Sequence, residues 1–95
     1  MSAPIPESLS PERVVPARVE PPEIGFINAL VEGHQGIATM RTLDQTRGLV
    51  VFWVPRGQWD DFQRMIAGFR EEISIAILDP EDPILEGLSL REWMR

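Results

Sequence analysis

The sequence contains no cysteine and no lysine, and its single histidine is His34. Without cysteine, disulfides, CxxC redox chemistry and thiolate metal sites are excluded, and redox logic says nothing about the compartment. One histidine and no thiol leave a transition metal with carboxylates alone, so neither a metal nor a cofactor is expected. No apolar run approaches the length of a membrane span, and residues 1–16 lack the basic start and apolar run of a signal peptide. A membrane partner is therefore not expected, and the cytoplasm is the expected location. All 9 basic residues are arginine, set against 15 acids for a net charge of −6. That balance repels a phosphate backbone, so nucleic acid is not an expected partner. A glycine-rich phosphate loop and a Ser-His-Asp arrangement are also missing.

What is present suits one small domain between two unlike ends. Residues 1–16 carry Pro4, Pro6, Pro11 and Pro16 among Ser and Glu, the composition of a disordered tail. Pro16 lacks the amide that a central ladder uses, which predicts a short first strand from Ala17 to Glu20. Pro22 suits a first helical turn, and Ile24, Ile27, Leu30 and Val31 follow at helical spacing. Gly33 is the expected left-handed stop, giving a helix over 22–32. A half-exposed strand over 37–43 and a polar turn ending in Gly48 come next. Leu49 to Val54 is apolar at every position, the pattern of a strand covered on both faces.

Pro55 and Gly57 break that strand. Trp59, Phe62, Ile66, Phe69 and Ile73 then recur at spacings of three and four, predicting an amphipathic helix. Asp60 and Asp61 suit its positive end, and Arg64 is placed to pair with Asp60. Ser74 to Leu78 reads as the last strand, so the packed domain spans 17–79. Residues 80–95 hold Ile84, Leu85, Leu88, Leu90, Trp93 and Met94, too many apolar side chains for a solvated tail, and Ser89 with Glu92 forms a capping box. This segment is expected to dock.

The order strand, helix, strand, strand, helix, strand predicts an α+β fold, a ferredoxin-like βαββαβ two-layer sandwich. Its four-stranded antiparallel sheet carries both helices on one face, with the first and third strands central. The other face should meet water, yet the third strand is apolar on both sides, so something must cover it. The covering is the C-terminal tail of the same chain, that of a second chain, or another protein. The last strand is an uncharged edge, a template for pairing unless blocked. Candidate interface residues are Phe52, Trp53, Ile75, Ile77, Leu85, Leu88 and Trp93.

The run EGHQGIATMRTLDQTRGLVVFWVP, with Glu32-Gly33 followed by Arg41-Thr42-Leu43-Asp44, resembles a family of short bacterial proteins catalogued as domain of unknown function 4911. The resemblance covers about Val19 to Leu78 and implies no activity. At fold level the chain also looks like ACT-type regulatory domains, which bind amino acids at dimer interfaces. It departs from them between first strand and first helix, where their glycine-containing turn is replaced by Glu20-Pro21-Pro22-Glu23.

Two functions follow as expectations. One is a non-enzymatic regulatory or adaptor domain acting through homodimerisation or another protein partner. The other is an ACT-like sensor of an amino acid or other carboxylate. Its candidate ligand residues are His34, Gln35 and Gly36 in the loop and Arg41, Thr42 and Asp44 on the hairpin, where a guanidinium and a hydroxyl could meet an anion. A small enzyme is the remaining alternative, disfavoured because no convergent acid-base set is recognisable.

Overall fold

The computed structural model describes residues 12–34 and 36–88. Four strands, β1 (Arg13–Val19), β2 (Thr39–Asp44), β3 (Leu49–Val54) and β4 (Ile75–Ile77), alternate with two helices, α1 (Ile24–Glu32) and α2 (Trp59–Phe69). The sheet order is β2-β3-β1-β4, antiparallel throughout. This is the ferredoxin-like α+β sandwich, with the first and third strands central.

The first strand departs from expectation. It begins at Arg13, inside the stretch read as tail, and Pro16 lies buried within it opposite Val51 of β3. Backbone groups of successive strand residues address alternate neighbours. The Val19 amide donates to the Gly48 carbonyl (2.8 Å), which turns the odd residues of β1 toward β3. The Pro16 carbonyl accepts from the Leu78 amide (2.9 Å), so Pro16 addresses the β4 side. Its missing amide therefore falls opposite Leu78, one residue past the end of β4, so the loss is confined to the return bond of the last pair on that side.

α1 follows a 3-10 turn, Pro21–Glu23, and buries Ile24, Ile27 and Val31. Its stop is a second correction: Gly33 is right-handed (φ −68°), and the left-handed residue is Gly36 (φ +85°). At the hairpin the left-handed glycine is where the sequence puts it, Gly48 with φ +69°. α2 buries Phe62, Met65 and Ile66. Phe62 lies against Phe52, ring centroids 5.4 Å apart. On the outer surface of α2, Arg64 pairs with Asp61 (3.2 Å) rather than with Asp60.

The alternation of β3 divides its side chains between two cores. Val50, Phe52 and Val54 enter the larger one, with Val15, Ala17, Val19, Met40, Ile75 and the buried stripes of both helices. Leu49 and Val51 face the other way. Leu85, only 4% exposed, covers them, with Val14, Leu43, Leu78, Ile84 and Leu88 around it. Leu85 belongs to a second 3-10 turn, Pro83–Leu85, capped by the Asp82 carboxylate accepting from the Ile84 amide (3.0 Å). The open face of the sheet is thus covered by the same chain. The capping box expected at Ser89 and Glu92, and the docking of Leu90, Trp93 and Met94, lie outside the described residues.

Candidate functional site

The described ligand residues expected from the sequence fall at separate places, with Arg41 and Thr42 together on one groove. His34 sits just past α1, where its Nδ1 is 2.8 Å from the Leu30 carbonyl oxygen and its ring meets the edge of Phe69. That is a helix-end role. Gln35 lies outside the described residues, and Gly36 is exposed in the following turn. Arg41 lies opposite Val51 and Thr42 opposite Val50, so the two side chains leave opposite faces of β2. Both border a groove of about 520 Å³ between α1 and the β2 edge, in company with Asn28 and Glu32.

Asp44 is committed elsewhere. Its carboxylate accepts from Arg47 Nε (2.7 Å), the Arg47 amide (3.2 Å) and Thr46 Oγ1 (2.8 Å). The Arg47 side-chain hydrogen bond, followed by that of Thr46, lowers its pKa from 3.8 to about 2. A bulge between Thr42 and Asp44 and the tight turn that follows bring Arg47 to this carboxylate.

The interface candidates also separate. Phe52 and Ile75 are enclosed in the larger core and have no surface to offer. Trp53 is half-buried on the other face. Ile77 is 41% exposed at the β4 edge. That edge is partly blocked, because Arg70 Nε donates to the outward Ile75 carbonyl (3.0 Å). Leu85 and Leu88 are turned inward on the second core, and Trp93 lies outside the described residues.

A different place gathers polar groups from four parts of the chain. A cleft of about 460 Å³ opens at the end of β1, bordered by Arg18, Glu20, Thr46, Arg47, Ser74 and Ile84. Arg18 pairs across β1 and β4 with Ala76, which also borders the cleft, and across β1 and β3 with Leu49. Arg47 lies two residues before Leu49. The antiparallel register therefore carries both arginines to one end of the sheet. Arg18 has no ion-pair partner among the described residues, while Arg47 is held by Asp44 and donates from Nη1 to the Ile84 carbonyl (3.3 Å). A guanidinium has five N–H donors, so Arg47 retains capacity for a further acceptor.

The sequence held a signal for this pair. Once the ferredoxin-like order is adopted, β1 and β3 are antiparallel neighbours, and the end of one must lie beside the start of the other. Arg18 and Arg47 occupy those two ends. Among the described residues no group of His, Asp and Glu is placed to hold a metal ion, and no helix is long and apolar enough to cross a membrane.

Sheet order and helix placement define a small ferredoxin-like domain with a polar cleft at one end of its central strands. More particularly, the chain belongs to the family described as a domain of unknown function, DUF4911, whose model matches residues 17–73. No curated protein and no solved structure matches it.

Proposed function

We propose that this chain is a non-enzymatic cytoplasmic regulatory domain that binds a free amino acid in the cleft between Arg18 and Arg47. The observation that carries the reading is the mixed chemistry brought together there by the sheet register. Arg18 and the remaining donors of Arg47 suit a carboxylate, and bidentate guanidinium pairing would give it orientation. Glu20 on the same cleft suits an ammonium group, and the Thr46 and Ser74 hydroxyls suit further polar contacts. Val19, Pro21, Ala76 and Ile84 supply apolar walls. A site with both signs of charge favours a zwitterion over a polyanion, in keeping with the acidic chain as a whole.

Self-association is a weaker reading, because its premise was an apolar sheet face in need of a second chain. Leu85 and its neighbours already cover that face. An edge-to-edge dimer through β4 would have to displace the Arg70 contact.

A thermal-shift screen of individual amino acids tests the proposal. A ligand at about a hundred times its Kd adds about 2.7 kcal/mol, which in a domain of this size raises Tm by roughly 10–20 °C. At least one amino acid is expected to raise Tm in the wild type and in Arg41→Ala, but not in Arg18→Ala. The reading fails when no amino acid shifts Tm, or when Arg18→Ala responds as the wild type does.

A further inference from the structure

The C-terminal segment from Asp79 to Leu88 does two things at once. Through Leu85 it closes the second core on Leu49 and Val51, and through Ile84 it forms one wall of the Arg18–Arg47 cleft. The two residues are neighbours on one 3-10 turn, so they dock or leave together. Internal hydrogen bonds make this segment a unit. The Asp79 carboxylate accepts from the Glu81 amide (2.8 Å), that of Asp82 accepts from the Ile84 amide (3.0 Å), and the Leu85 amide donates to the Asp82 carbonyl (2.9 Å). Among the described residues its polar tie to the hairpin is the bond from Arg47 Nη1 to the Ile84 carbonyl (3.3 Å), made by a residue of the cleft itself. The segment also lies beyond residues 17–73, the part that defines the family.

We propose that the strap Asp79–Leu88 is a lid coupled to the ligand of the Arg18–Arg47 cleft, so that a bound amino acid holds the strap on the sheet and release of the strap opens the site. The inference rests on the amino-acid reading of that cleft. Its physical basis is linkage: only the docked state has the Ile84 wall and the bond from Arg47 Nη1 to the Ile84 carbonyl, so a ligand contacting these groups binds that state preferentially. The coupling is reciprocal, and whatever removes the strap lowers affinity by the same factor by which the ligand favours docking. Leu85 is the residue to perturb. It anchors the strap but is not among the residues that border the cleft.

The test compares the full-length wild type with Leu85→Ala and Leu85→Met, using a mixture of the proteinogenic amino acids as the probe. Hydrogen exchange is read at the Leu85, Glu86 and Leu88 amides, all bonded within the strap. In the wild type the mixture is expected to slow their exchange several-fold. Leu85→Ala is expected to weaken apparent affinity by roughly tenfold, within the usual range of such couplings. Leu85→Met, which keeps an apolar anchor of similar volume, is expected to restore affinity to near the wild-type value. A milder loosening, Leu88→Ala, should fall between them, so the test stands even where Leu85→Ala folds poorly. Equal affinity in all four proteins, with no slowing in the strap, overturns the coupling and leaves the amino-acid site standing. No response to the mixture in the wild type overturns both.

Discussion

Replacing Gly48 with alanine should be far more costly than its size suggests. Gly48 has φ +69°, where an L-residue other than glycine pays roughly 1–2 kcal/mol. A Cβ built there would also overlap the Val19 carbonyl oxygen and close on the carbonyl carbon at 3.0 Å. These are backbone atoms of a central strand, held between β3 and β4, and cannot turn aside as a flexible side chain would. Relief requires Gly48 to move away from Val19, which breaks the bond from the Val19 amide to the Gly48 carbonyl. Both residues are buried, so a donor and an acceptor lose their partners at about 1–3 kcal/mol.

Together these effects put Gly48→Ala at roughly 2–5 kcal/mol, a large share of the 5–15 kcal/mol that holds most domains folded. Gly36 supplies the control. It is also left-handed, at φ +85°, but nothing lies within 4 Å of where its Cβ would be. Gly36→Ala should therefore lose only the conformational part, about 1–2 kcal/mol. Urea unfolding separates the two. With a slope near 1 kcal/mol/M, typical of small domains, the midpoint should fall by about 2–5 M for Gly48→Ala and by about 1–2 M for Gly36→Ala. Equal losses in the two variants would refute the claim that the approach to Val19, rather than backbone handedness, sets the cost.

Two further outcomes are expected. Asp44 is ionised more readily in the folded chain than at its ordinary pKa, so its contribution is complete above about pH 4 and is lost as pH falls toward 2. The urea midpoint of Asp44→Asn should accordingly vary less with pH than that of the wild type across that window, and matching slopes would contradict the pairing. Arg70→Ala frees the outward carbonyl of Ile75 on an edge strand. The variant should lose about 1 kcal/mol and show concentration-dependent association by sedimentation, whereas a strict monomer would mean that Arg70 does not guard the edge.

Most of the architecture was legible in the sequence because both periodicities are strong. The α2 stripe and the unbroken apolar run of β3 leave little choice of element, and the order of elements then fixes the central and edge strands. The doubly apolar β3 even required a cover for the far face. The misreadings share a cause, which is that a backbone group or side chain was judged without its direction. Pro16 lacks the amide of a central strand, yet that amide would face Leu78 at the very end of the β1–β4 pairing, where only one bond is forgone. Arg41 and Thr42 are adjacent in β2, so their side chains leave opposite faces and the two share only the border of the groove beside α1. Asp44 belongs to the same expected ligand set, yet the turn after it returns Arg47 to its carboxylate.

Direction also explains why the polar cleft lies where it does. Alternation along β1 and β3 sends Ala17, Val19 and Val50 into the larger core, and the positions between them face the strap. Along that second face the apolar residues Val14, Leu49 and Val51 are covered, while Arg18 lies at the strand end, opposite Leu49 and beside the turn that carries Arg47. The strap ends its coverage there too, at Ile84. A strap that continued with an apolar residue over Arg18 would bury a charge without a partner, which is costly. The cleft is thus the point at which the second core runs out of apolar residues to cover. The polar groups left there are set by the sheet register on one side and by the docked strap on the other.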